Sequence, residues 1–338
     1  MFKRILVPLD GSELAGRALP VAAQIARASG GSILLFGVVS TPVEYGPPYV
    51  FPANGSGWGT EQVDLKKMSE YLQQTASSSI LAGVPVETQT MVDAVAPAIL
   101  TAEQTFQADL VVMSSHGYAG VKRWVLGSVA QKIARHSPVP VLVLRADGAV
   151  LTADHPQRVL VPLDGSALAE AAIEPAMQLA TAFSGADPST LHLLRVINLP
   201  LSTGKFRAMS AAFERDIQAQ EEQAARAYLE ALENRLHQTM PAQVQITSST
   251  VVDNDVAAAI IYAGKPGSET SGKSYDALAM ATHGRSGFRR WALGSITERV
   301  LGATHLPLLI VRPKAVQEQH EPVEAGIKGS DVPWVGLL

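Results

Sequence analysis

The sequence predicts an α/β protein made of two tandem, doubly wound parallel sheets. Three observations carry that reading. Short apolar runs alternate with segments of helical periodicity, the pattern of strands joined by right-handed helical crossovers. The series is written twice: Arg4-Ile-Leu-Val-Pro-Leu-Asp-Gly-Ser12 returns as Arg158-Val-Leu-Val-Pro-Leu-Asp-Gly-Ser166. A glycine-rich stretch also returns: His116-Gly117, Arg123-Trp124 and Leu126-Gly127-Ser128 reappear as His283-Gly284, Arg290-Trp291 and Leu293-Gly294-Ser295. The offset drifts from 154 to 167 residues, which marks a duplicated domain with loop insertions rather than a short-period solenoid. Domains are expected at 1–147 and 156–314, with Thr152–Pro156 as linker and 315–338 as a mobile tail.

In the first copy, Ile5–Leu9 is the apolar run expected of a strand buried on both faces. Ser12 stands at a helix N-cap, and Leu14, Ala18, Val21 and Ile25 follow at helical spacing. Pro20 lies inside that helix and Pro175 inside its counterpart, so a local kink is expected in both. Gly30-Gly31 ends the helix and Ser32–Val39 forms the second strand. After a Pro- and Gly-rich loop over 40–60, Leu65, Met68, Leu72, Ala76 and Ile80 mark a helical face. Val84–Val92, Leu110–Ser114 and Val139–Arg145 read as strands, with Ala94–Phe106 and Ser128–Arg135 as helices.

The second copy repeats the order with strands at Val159–Leu163, Leu191–Ile197, Val244–Val251, Ala277–Ala281 and Leu306–Val311. Its second helix, 206–237, puts Ala225, Leu229, Leu232 and Leu236 on one face. Glu221, Glu222, Arg226 and Glu230 fall on a face read as solvated.

Composition narrows the function classes. The chain has 338 residues, 47% hydrophobic and 17% charged, with a formal net charge of −4. That balance exerts no general pull on nucleic acid or on an acidic membrane. No apolar run reaches the roughly 18 residues of a membrane helix, and the first ten residues are too briefly apolar for a signal peptide. Cysteine is absent, which removes disulfides, thiol nucleophiles and cysteine metal sites. A cytoplasmic protein is expected.

Candidate chemistry lies in the loops after the first and fourth strands, where doubly wound sheets place ligands. Nine residues separate Gly117 from Gly127-Ser128, and nine separate Gly284 from Gly294-Ser295. Each stretch leaves a strand and opens a helix, whose free N–H groups and partial positive charge suit phosphate. Lys122, Arg123, Arg285, Arg289 and Arg290 lie in these loops, and the richer cationic set favours tighter binding in the second domain. Ser128…Gln131 and Ser295…Glu298 also fit a capping box that merely starts a helix, and both readings stay open. Asp10 and Asp164 end their first strands, placed either to bond a nucleotide or to cap the next helix.

Other motifs carry less. His116 and His283 have no partner at metal-ligand spacing and read as turn-shaping residues. No hydrolase triad, nucleophile elbow or dinucleotide fingerprint is evident. Gly267-Ser-Glu-Thr-Ser-Gly272-Lys273-Ser274 matches a Walker A pattern, but it follows a helix and leads into a strand, the reverse of a working phosphate loop. Tyr45, Tyr49, Phe51 and Trp58 in the long first loop read as packing of a surface loop.

The repeated Val-Pro-Leu-Asp-Gly-Ser, the Met-x-x-His-Gly at the fourth strand, the Leu-Gly-Ser turn and the last strands ending Val-Leu-Arg or Ile-Val-Arg together resemble the universal stress protein family. The resemblance covers both halves and implies a tandem member. It implies five-stranded sheets in the order 3-2-1-4-5, of the adenine nucleotide alpha hydrolase-like type, paired through their fifth strands as an intramolecular pseudo-dimer. Association of further copies is left open. The family's ATP-binding branch resembles G-x2-G-x9-G-S/T. By that resemblance Gly117, Gly127, Ser128 and Val129, and Gly284, Gly294, Ser295 and Ile296, belong to the phosphate turns. Asp10 and Asp164 lie at the adenosine end, Val38 and Val196 at the adenine, and Met113 and Met280 beside the ribose. Ser114 and Ala281 replace the pattern's first glycine. The ligand so implied is ATP, with Mg2+ brought by the nucleotide, in a stress-response regulator that is not an enzyme beyond slow hydrolysis, since no general base stands out.

Overall fold

A computed structural model of the chain describes residues 1–40, 57–115, 127–145, 148–199, 211–265, 274–284 and 293–313. The first half runs β1 (Arg4–Leu9), α1 (Glu13–Gly16), α2 (Ala18–Ser29), β2 (Ser32–Val39), α3 (Gly57–Ala76), β3 (Val86–Val92), α4 (Val95–Phe106), β4 (Leu110–Ser114), α5 (Ser128–His136) and β5 (Val141–Leu144). The second runs β6 (Arg158–Leu163), α6 (Ala167–Glu170), α7 (Ile173–Ala182), β7 (Ser189–Ile197), α8 (Ala211–His237), β8 (Val244–Val252), α9 (Val256–Ala263), β9 (Ala277–Ala281), α10 (Ser295–Ala303) and β10 (Leu308–Val311).

The strands form one sheet in the order β3-β2-β1-β4-β5-β10-β9-β6-β7-β8. Each half is the parallel 3-2-1-4-5 sheet expected. The fifth strands join them antiparallel, with Leu308 opposite Val143, Leu309 opposite Leu142 and Ile310 opposite Val141. Strand alternation sends Ile5, Val7 and Leu9 into an apolar layer beneath α2, α3, α7 and α8. Leu6 goes to the opposite layer, beneath α4, α5, α9 and α10. Both layers run unbroken through both halves.

Reciprocal side chains clamp the seam. Arg145 Nη1 donates to Leu301 O of α10 at 3.3 Å, and Arg312 Nη1 donates to His136 O of α5 at 3.5 Å. Each guanidinium so meets the electronegative C-terminal end of the other half's last helix. Arg135 of α5 pairs with Glu298 of α10.

The helices are interrupted just before the prolines. α1 and α2 are separate, as are α6 and α7, and Pro20 and Pro175 each sit third in the later piece. There a missing N–H leaves no intrahelical bond unmade. Trp58 lies on the first turn of α3. Tyr45, Tyr49, Phe51, Lys273 and residues 315–338 lie outside the described residues; what flanks the Walker-like segment is α9 before it and β9 after.

Two buried polar groups were not anticipated. His192, where the first copy has Leu34, bonds Thr247 Oγ1 and Ser249 Oγ at 2.8 Å each. Burial, helped by Arg158, pushes its pKa down to about 4, so the ring is neutral. Glu103 of α4 is 2% exposed, and Ser137 Oγ donates to its Oε2 at 2.9 Å. Burial pushes that carboxyl up to about 8, the Ser137 bond offsetting only part of the cost of ionising. A raised folded pKa stabilises fully below the unfolded value near 4.5 and is lost as pH rises through about 8. Urea unfolding of wild type and Glu103→Gln from pH 5 to 9 tests this. Relative to the variant, wild type is expected to lose about 4 kcal/mol, nearly all of it between pH 5 and 8, and to level off above about pH 8.

Candidate functional site

The turn after β1 and its repeat after β6 are built alike. Asp164 Oδ1 accepts from the N–H of Ser166 at 2.9 Å and from its hydroxyl at 2.6 Å. Asp10 holds Ser12 the same way, at 3.0 and 2.6 Å. Each serine oxygen then accepts from the backbone three residues on, capping the short helix. The intervening Gly11 and Gly165 adopt φ of +84° and +82°, which a side chain would oppose. Serine therefore takes the cap, and aspartate orients the serine.

At the other side of the crevice, α5 and α10 begin at Gly127 and Gly294. Neither start has a side-chain cap. The capping-box reading fails, because Ser128 and Ser295 are the first helical residues and not the caps. Gln131 and Glu298 instead face the seam, where both meet at 3.4 Å. Gly294 N–H donates to Thr282 O at 2.8 Å, and Gly127 N–H to Ser115 O at 2.8 Å, tying each helix start to the end of the fourth strand. A Cβ on Gly294 would stand 2.8 Å from Thr282 O, and one on Gly284 would overlap the Asp164 carboxylate.

In the second half these pieces enclose a cavity of about 420 Å³ at the carboxyl ends of β6, β7 and β9. Asp164, Val196, Met280, Ala281, Gly284, Gly294, Ser295 and Ile296 all line it. In the first half Asp10, Val38, Met113, Ser114, Gly127, Ser128 and Val129 occupy the corresponding strand ends and helix start. Ser114 is buried, and among the described residues its hydroxyl has no hydrogen-bond partner. Gly117, His116, Lys122, Arg123, Arg285, Arg289 and Arg290 lie outside the described residues, and the charge asymmetry expected of the two loops with them.

Geometry of this kind has relatives. The model of the universal stress protein family matches residues 1–145 and again 156–312. The chain belongs to the universal stress protein family. A universal stress protein of Mycobacterium tuberculosis is 25% identical over 314 residues, covering 91% of this chain and 96% of its own. A shorter universal stress protein of Thermus aquaticus is 35% identical over 148 residues, its whole length matching 43% of this chain. Among solved structures, a Pseudomonas aeruginosa protein of unknown function superposes with a TM-score of 0.60 at 16% identity, covering 94% of this chain and 95% of that one. A universal stress protein of Archaeoglobus fulgidus superposes at 0.57 with 18% identity, covering 91% and 98%. These structures share the fold.

Several lining residues were not foreseen. Arg195, Tyr228 and Glu221 border the cavity, Glu221 from the helix face read as solvated. Periodicity shows that a face is charged but not that it overhangs a strand end. Glu221 is itself exposed, so the surface reading holds for it at the rim of the cavity, while the half-buried Glu222 pairs with Arg226 one turn on. His283 also lines the cavity, and its Nδ1 lies 3.0 Å from Thr282 Oγ1, a local bond that fits the turn-shaping reading. Among the described residues no cluster of three or more His, Asp or Glu side chains could hold a metal, and no helix is long and apolar enough to cross a membrane.

The crowding at Gly294 makes a stability prediction with an internal control. Gly294→Ala forces a Cβ against a backbone carbonyl and is expected to cost about 1–3 kcal/mol. Gly302→Ala, in the same helix with nothing within 4 Å of the new Cβ, is expected to stabilise by about 0.5–1 kcal/mol. Paired urea unfolding curves check both signs.

Proposed function

We propose that each half of the chain binds an adenine nucleotide, ATP by preference, and that occupancy regulates a stress response through changed conformation or partner choice. The observation that carries this reading is the second cavity. It combines an apolar wall, a carboxylate-anchored turn, and a helix start whose N–H groups lack a side-chain cap. Flat apolar contacts suit a base and an uncapped helix start suits phosphate. The crowded glycines fit the same ligand, since they keep the backbone bare where phosphate would approach.

By this reading Val196 and Met280 contact the nucleoside, Asp164 lies at its ribose side, and Gly284, Gly294, Ser295 and Ile296 take the phosphates. Asp10, Val38, Met113, Gly117, Gly127, Ser128 and Val129 do the same in the first half. Ser114 and Ala281, where the ATP-binding pattern has glycine, narrow the approach, and the Ser114 hydroxyl, without a partner among the described residues, would gain a bond from a ligand. A bound nucleotide supplies phosphate charge and its own Mg2+. The protein's residues orient it and shield it from water, and none is assigned to catalysis. A cytoplasmic location accompanies the proposal.

Equilibrium binding of labelled ATP to the full chain tests it. Wild type is expected to saturate at two nucleotides per chain. Gly127→Val and Gly294→Val should each keep one site, and the double variant none. Failure of wild type to saturate near millimolar ATP overturns the reading in favour of a nucleotide-free scaffold.

A further inference from the structure

The wall of the second cavity divides by sheet face. Val196, Val256, Ile260 and Met280 belong to the layer beneath α9 and α10. Ala169 and Tyr228 belong to the layer beneath α6, α7 and α8. Alternation along β7 sends Arg195 to the α8 side, because Leu193 lies on that side and Val196 on the other. There Arg195 Nη1 donates to Leu163 O at 3.2 Å, and Tyr228 donates its hydroxyl to Glu170 at 2.9 Å. Glu170 also pairs with Arg235, and Glu221 borders the same end of the cavity. One cavity thus has an apolar lobe beneath α9 and a polar lobe beneath α8.

The first half is built differently at this point. Leu9 pairs with Gly37 just as Leu163 pairs with Arg195, so Gly37 is the counterpart of Arg195. A Cβ on Gly37 would stand 2.6 Å from both Cγ and Sδ of Met68. Helix α3 has settled into the space that Arg195 occupies in the second half. A thioether fills that position in one half, where a guanidinium, a phenol and a carboxylate border the cavity of the other.

The polar lobe mixes obligate donors with obligate acceptors. Arginine only donates, and an ionised carboxylate only accepts. A bare phosphate there would face Glu221 as well as Arg195. An apolar group would strip water from charges without replacing its hydrogen bonds. Neighbouring hydroxyls satisfy both kinds of wall, because each gives and receives.

We propose that the second crevice takes a nucleotide extended from its terminal phosphate by a hydroxylated, sugar-type group, which turns across the end of β6 into the α8 lobe of the same cavity and is held there by Arg195 and Glu221. The proposal rests on the nucleotide reading above and adds a selectivity that the first crevice lacks. Calorimetry on the full chain carrying Gly127→Val, which leaves the second crevice, compares ADP with ADP-ribose. ADP-ribose is expected to bind at least about tenfold more tightly, the worth of one or two charge-assisted hydrogen bonds. In Arg195→Met the ratio should fall to about one, and in Glu221→Gln it should fall in part. Circular dichroism checks that each variant is folded, and Glu221→Gln carries the test if Arg195→Met is not. ADP binding with no gain for ADP-ribose overturns the lobe and leaves the nucleotide reading standing. An undiminished gain in both variants overturns the roles given to Arg195 and Glu221. Saturation by neither ligand overturns the nucleotide reading and this proposal with it.

Discussion

Backbone hydrogen bonding between β5 and β10 is the constraint on which the rest of the architecture depends. Each half ends in a short, wholly apolar strand, Val141–Leu144 or Leu308–Val311. Left open, either edge would present unpaired N–H and C=O groups to other chains. Pairing them satisfies both edges and merges two five-stranded sheets into one. Because the joining pair is antiparallel while every other pair is parallel, the carboxyl edges of the two halves face opposite ways. The crevices therefore open at opposite margins of one sheet. The arginines that cross the seam tie the end of each fifth strand to the last helix of the other half, and the Arg135–Glu298 pair ties α5 to α10, the two helices whose first turns border those crevices.

Within each half, position follows from direction. Parallel strands deliver all their carboxyl ends to one margin, and each crossover helix must start there. That is why residues as far apart in sequence as Asp164, Val196, Met280 and Gly294 share one cavity wall. The glycines complete the arrangement by leaving room for backbone to approach backbone, as at Gly294 against Thr282.

Much of this was legible in the sequence because it is local or repeated. A buried parallel strand must be apolar at nearly every position, so the strand cores were plain. The repeat then identified the turns, since Asp-Gly-Ser and Leu-Gly-Ser stand twice at the same places in the order. What escaped depends on packing between distant segments. The break at Pro20 and Pro175 depends on whether the chain begins a new helix just before the proline, which periodicity does not distinguish from a bend. The capping box failed because the residue before the serine, and not the serine, took the cap position. Glu221 and Arg195 were missed since one reads as a surface charge and the other as an oddity within an apolar strand. Only the seating of α8 over the end of β7 brings them to the same cavity. His192 and Glu103 were invisible for the same reason: their partners, Thr247, Ser249 and Ser137, are brought to them by strand register and helix packing.

The covalent joining of the two halves has a consequence of its own. In a dimer of identical subunits every substitution appears on both sides of the axis, so an arginine placed in one crevice is placed in the other. Here the twofold relation is only approximate, and Gly37 with Met68 can persist in one half while Arg195 and Tyr228 arise in the other. Dilution cannot separate the halves either, so the two unlike sets of strand ends remain in fixed one-to-one proportion however scarce the molecule becomes.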